Sequence, residues 1–154
     1  MPKNISTNYE NPKVAVKHKN EEIRAASRSG GVFTALSDEI LKDGGVVYGC
    51  VLVDCVDAKH IRADNQVDRN NMRGSKYIQS DLQDTFMKVC TDLLANRSVL
   101  FSGTSCQIAG LKAYLGQDYD TLLCVDIVCH GVPSPKVWKE YLKWQEKRKH
   151  KKIV

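Results

Sequence analysis

The sequence contains no apolar run approaching the roughly 20 residues of a membrane-spanning helix, which argues against a helical span. Residues 1–12 are polar and lack the apolar core of a signal peptide. Both absences point to the cytosol. There, six cysteines suit reduced thiols, metal or redox chemistry better than a disulfide framework. No C-x2-C pair occurs anywhere, nor the C-x2-C-x2-C-x3-C run of a ferredoxin, so no self-contained ferredoxin site is encoded. Cys50 and Cys55 have a C-x4-C spacing, which does not by itself make a zinc site. Internal repeats are missing too, which excludes a solenoid.

What is present is ordinary globular composition: 42% apolar and 27% charged residues over a length that fits one domain with a real core. The net charge of +5 is concentrated at one end. Residues 136–154 carry eight Lys or Arg against Glu140 and Glu146, so the rest of the chain holds a charge of −1. A nucleic-acid protein more often spreads basic residues across a folded face, so no nucleic-acid partner is expected.

Residues 1–12 read as a disordered leader or linker, and residues 13–154 as one α/β domain. Lys13–His18 alternates weakly and suggests a first strand. Short helices are expected at 20–27 and 67–73, and amphipathic ones at 32–42 and 81–96. Val46–Val53 is a β-branched run that reads as a buried strand, with His60–Ala63 as a pairing candidate. Strands follow at 98–102 and 121–128 around a helix at 105–115. Pro133-Ser-Pro135 opens a last helix with an apolar stripe of Val137, Tyr141 and Trp144. The order implies a mostly parallel or mixed sheet flanked by helices. The apolar Ile153-Val154 after a charged helix reads as the start of another strand, so a fragment truncated at the C-terminus is expected.

Two cysteines carry the chemistry. Cys106 follows the run Val99–Ser102 at a glycine turn, and Cys129 follows Leu122–Val128. A strand–helix–strand order makes those strands parallel, so both cysteines fall on the sheet edge where open α/β folds bind ligands. At a helix N-terminus, the dipole favours a thiolate at Cys106, the form an iron–sulfur cluster requires. A small residue closing a turn explains Cys106 equally well. Asp126 stands in an otherwise apolar strand and needs a partner or a place near the strand's end. His130 is read as a ligand, a proton donor or a structural histidine.

Ser29-Gly30-Gly31 precedes a helix, where backbone N–H groups and the helix dipole suit a phosphate. A simple turn is the alternative. Gly103-Thr104-Ser105 repeats that layout, with Thr104 or Ser105 available as a cap or as a ligand to phosphate or flavin. Lys76 and Tyr77 place a cation and an aromatic ring on one loop, suited to phosphate and to stacking on an isoalloxazine.

Four segments together resemble the N-terminal domain of the coenzyme F420 hydrogenase/dehydrogenase beta-subunit family. They are Ser29–Leu36, Met72–Tyr77, Leu100–Lys112 and Asp126–Pro135. The resemblance covers about residues 13–150 and is nearest to bacterial members that act with ferredoxin-type modules. It implies an electron-transfer oxidoreductase carrying FAD and one four-iron cluster, passing electrons on to a deazaflavin or another acceptor. It implies Cys106 and Cys129 as two of four cluster ligands, the others coming from a C-x2-C pair in a further domain. It further implies Ser29, Gly30, Gly31, Lys76, Tyr77, Gly103, Thr104 and Gln107 as flavin-side residues and His130 as a catalytic group. Ser105 departs from the family's usual proline. The expected partners are a ferredoxin-like module and the remainder of the polypeptide. Two alternatives stand beside this reading: a non-catalytic docking module using the basic last helix, and a thiol enzyme using Cys106 and His130.

Overall fold

Val46–Val53 forms β1, the strand on which the rest is assembled. In the computed structural model, which describes residues 14–152, β1 pairs antiparallel with β2 (Asp57–Ala63) and parallel with β4 (Val99–Thr104). Beyond β4 lies β5 (Leu122–Ile127), also parallel, and beyond β2 the two-residue β3 (Ser80–Asp81). The sheet order is β3-β2-β1-β4-β5, so the sheet is mixed.

Helices cover both faces. One face of the sheet packs Val47, Val51, Ala63 and Leu100 against α2 (Val32–Lys42) through Phe33, Leu36 and Ile40. Met72, just after α3 (Gln66–Asn70), joins that cluster. The other face packs Val46, Tyr48, Val99 and Phe101 against Val89 and Leu93 of α4 (Thr85–Leu94) and Ile108 and Leu111 of α5 (Ser105–Leu115). Hence β4, flanked by strands and covered on both faces, is buried from Val99 to Gly103 and shows no polar alternation. The remaining helices are α1 (Glu21–Ser27) and α6 (Pro135–Lys149).

Two polar clamps tie helices to this core. The Tyr48 hydroxyl donates to Asp92 at 2.6 Å, and Arg62 Nε donates to the same carboxylate at 2.8 Å. Arg69, 1% exposed, donates to Thr34 O, Ser37 Oγ and Asp38 Oδ1, joining α3 to α2. A charge this buried is tolerable only because it is paired and hydrogen-bonded.

Most expected elements form. Val14–His18 is the exception: it has no sheet partner among the described residues. Instead, the His18 N–H donates to Gly30 O at 2.7 Å, which lays the segment over the turn before α2. The helix expected at 81–96 starts at Thr85, because Ser80–Asp81 pairs with β2. The leader at 1–12 and the expected strand start at Ile153-Val154 lie outside the described residues.

Candidate functional site

The parallel strands set the two cysteines in equivalent places. The β4–β5 register pairs Gly103 with Asp126 and Thr104 with Ile127. Cys106 and Cys129 each stand two residues beyond that last pair, both exposed, on the C-terminal edge. Around them the turns are locally bonded. Thr104 Oγ1 lies 3.2 Å from Cys106 Sγ, and the Gly131 N–H donates to Cys129 Sγ at 3.3 Å. Ser105 donates to Asp126 Oδ1 at 3.0 Å, which supplies the partner that Asp126 was expected to need. His130 is exposed and makes no hydrogen bond to Cys106 among the described residues.

Thr104 is the N-cap of α5, and Gln107 completes a capping box, its Oε1 accepting the Thr104 N–H at 3.0 Å. The other end of the Gln107 amide donates to Ser80 Oγ at 2.8 Å. Gln107 is therefore occupied within the protein at both ends. A Cβ on buried Gly103 would fall 2.9 Å from the Phe101 ring, so that glycine is required by packing.

A second group surrounds a cavity of about 600 Å³. Its cations are Arg28, Arg73 and Lys76, its apolar wall is Val51, Leu52 and Ile61, and it has no acidic residue in its lining. Arg73 Nε is buried without a hydrogen-bond partner among the described residues. Lys76 is held in place by its own loop: Nζ lies 2.7 Å from Met72 O, 2.9 Å from Arg73 O and 3.0 Å from Gly74 O. Burial pulls the Lys76 ammonium below the ordinary lysine range. Tyr77, on the same loop, is 76% exposed and lies outside the cavity lining.

The glycine turn before α2 adjoins this cavity through Arg28, yet neither glycine opens into it. A Cβ on Gly30 would meet Val16 O at 2.9 Å, and one on Gly31 would meet His18 Cβ at 2.9 Å. The chain's own residues 16–18 thus pack against both glycines. Ser29 is exposed on the same turn.

On β1, burial pushes the Cys50 thiol up, and the Lys76 charge acts in the opposite sense. Ser80 joins Gln107 to His60, through Gln107 Nε2 at 2.8 Å and His60 Nδ1 at 3.0 Å. Arg28, Arg73 and Ser80 were not singled out from sequence. Arg28 adjoins the glycine turn and Arg73 lies inside the Met72–Tyr77 segment, so their signal was membership of, or adjacency to, motifs already noted.

Residues 96–154 match the family described as the C terminus of the coenzyme F420 hydrogenase/dehydrogenase beta subunit. That stretch of the chain is similar to the C-terminal part of that family. The match starts at Asn96, so it includes both cysteine turns and excludes the motifs at Ser29 and Met72. A similar fold occurs in a chain of the F420-reducing NiFe hydrogenase complex from Methanosarcina barkeri, with a TM-score of 0.62 and 20% identity. The likeness covers 82% of this chain and 47% of that one, so the present chain spans about half the solved chain's length. No curated protein sequence matches the chain. Among the described residues no helix is long and apolar enough to cross a membrane.

Proposed function

We propose that this chain is part of an electron-transfer oxidoreductase, its cation-lined cavity taking the phosphates of FAD and its two exposed cysteines serving a four-iron cluster. The observations carrying this reading are the acid-free cavity lined by Arg28, Arg73 and Lys76 and the two exposed cysteines at equivalent places on the C-terminal edge of β4 and β5.

The residues fit the flavin's anionic part. Arg28 and Arg73, the latter with a guanidinium Nε that has no partner among the described residues, form a donor set suited to phosphate oxygens in a lining without carboxylates, and Lys76 adds positive charge. Val51, Leu52 and Ile61 provide an apolar wall that limits water. When bound, FAD couples two-electron chemistry to one-electron transfer. Arg28 and Arg73 would hold its phosphates, and Lys76 would fix the loop that carries Arg73. His130 stands beside Cys129 as a candidate proton donor. For the cluster the fit is partial. Cys106 and Cys129 would provide two of the ligands, and no group of three or more His, Cys, Asp or Glu among the described residues could hold a metal. The remaining ligands would come from a ferredoxin-like module or from further polypeptide.

Titration of FAD into the chain, followed by flavin fluorescence, tests the cavity. Arg28→Gln or Arg73→Gln should weaken binding by about tenfold, the effect of losing one charge-assisted contact. Equal binding by the variants and the parent, or no binding, would remove the cavity from the proposal. For the cluster, iron and sulfide assays after anaerobic reconstitution should find little metal on the chain alone, because half the thiolates are missing.

A second reading, a docking module, is favoured by α6. Trp138 stacks on Tyr141 at 5.8 Å, and Tyr141 meets Trp144 in a tilted contact at 6.0 Å, with Arg148 over Trp144 at 5.2 Å. Tyr141 and Trp144 remain about half exposed on a helix rich in lysine. A chain that binds an acidic ferredoxin but no flavin would favour that reading.

A further inference from the structure

We propose that Ser80 and His60 are positioning residues for the turn that bears Cys106, acting through Gln107. The importance of that turn rests on the function proposed above, but the geometry and its test do not require a cofactor.

The hydrogen bonds admit one consistent assignment. His60 Nε2 lies 3.1 Å from Ser102 O, which can only accept, so Nε2 carries the proton. In the neutral ring Nδ1 is then the acceptor, and Ser80 Oγ, 3.0 Å away, donates to it. With its hydrogen committed, Ser80 Oγ accepts from Gln107 Nε2 at 2.8 Å. That contact fixes the amide so that Oε1 faces the Thr104 N–H at 3.0 Å. Thr104 in turn contacts Cys106 Sγ through its hydroxyl. Each group has a defined role, from the carbonyl of Ser102 to the cap of α5.

The surroundings hold the relay in place. His60 is 5% exposed and stacks on Phe101 at 5.4 Å with an interplanar angle of 15°. Burial lowers the basicity of its ring, which favours the neutral form the assignment needs. Cys50 stands opposite His60 in the β1–β2 register. This gives the two-residue strand β3 a purpose: its pairing with β2 brings Ser80 between His60 and Gln107.

A capping box needs only Thr104 and Gln107. Without Ser80, however, the Gln107 amide loses the partner that holds it over Thr104 and can turn toward solvent. The Thr104 N–H then loses its acceptor for part of the time, and the Cys106 turn loosens while the Cys129 turn does not. The two cysteines therefore serve as probe and internal reference in one molecule.

The experiment is alkylation of the full chain by iodoacetamide, with the rates at Cys106 and Cys129 followed by peptide mass spectrometry. Ser80→Ala should change the Cys106/Cys129 rate ratio by about threefold or more, as expected for one net hydrogen bond. Ser80→Thr retains the hydroxyl and should restore the parent ratio. Melting curves on the same samples report general loosening. An unchanged ratio in Ser80→Ala overturns the proposal, as does a Thr variant that behaves like Ala. Parallel acceleration at both cysteines, tracking a lower Tm, also overturns it. Failure of the flavin and cluster assignments would appear in the binding and iron assays and would leave this ratio unaffected.

Discussion

Thr104 and Ile127 are direct partners across β4 and β5, and each is followed at the same distance along the chain by an exposed cysteine. Neighbouring strands lie about 4.8 Å apart, so two residues of chain beyond such a pair keep two side chains within reach of one another. A short bis-maleimide should therefore link Cys106 to Cys129 within one molecule. The cross-linked peptide, identified after proteolysis, is the expected product. Recovery of the two cysteines only as separately capped thiols would count against a shared site. Cys50, Cys55, Cys90 and Cys124 are half-buried and should react more slowly.

Lys76 should prove structural before it proves electrostatic. Its ammonium satisfies carbonyl oxygens that follow α3, the closest being Met72 O at 2.7 Å. Lys76→Met keeps the apolar stem and removes the charge. It should cost about 2 kcal/mol, the range for hydrogen bonds made by a charged group. Lys76→Arg should not rescue it, because a planar guanidinium cannot occupy a position surrounded by carbonyls as a compact ammonium does. Urea denaturation measures both. A Lys76→Met chain as stable as the parent would instead leave the residue free for a ligand.

At Gly31 the expected role and the geometry diverge. The residue has φ of +77°, and an added Cβ would fall 2.9 Å from His18 Cβ. A β-branched residue there meets both the backbone penalty and the clash. Gly31→Val should lose about 3 kcal/mol, from strain and overpacking together. Any flavin loss should then follow loss of fold, with circular dichroism and flavin fluorescence changing together on the same sample. A folded variant that has lost only the flavin would restore the glycine to a direct binding role.

The elements that were legible in the sequence are those whose signal is local. Val46–Val53 and Val99–Ser102 are β-branched or apolar runs, and the Pro135 start of the last helix is terminus chemistry. The strand–helix–strand order was enough to put Cys106 and Cys129 on one edge. Other features depended on distant pairing. Ser80 looks like a loop residue until β2 is beside it, and His60 is an unremarkable strand position until Ser102 and Phe101 enclose it. Val14–His18 alternates like a strand, but its bond to Gly30 draws it away from the sheet. Periodicity cannot report such competition, because the partner lies elsewhere in the sequence.

Asp92 should govern the acid limb of stability. Burial alone would push its carboxyl up. The hydrogen bonds from Arg62 and Tyr48 and the charges of Arg62 and Arg97 outweigh that effect and hold it below the ordinary value of 3.8. The folded chain therefore binds this proton less readily than the unfolded chain. Stability from the clamp is fully present above the unfolded value and is lost as pH falls through the lower folded one. Asp92→Asn should flatten that part of the pH–stability curve. At neutral pH the same change should cost about 3 kcal/mol, because it leaves Arg62 partly buried beside a neutral group and weakens the anchor of Tyr48. Urea midpoints measured from pH 7 down to about pH 3, a range spanning the unfolded carboxylate value, test both effects. If the variant keeps the parent's acid slope, other carboxylates carry it. If it also keeps the parent's neutral stability, the Tyr48–Asp92–Arg62 clamp contributes little to holding α4 on the sheet.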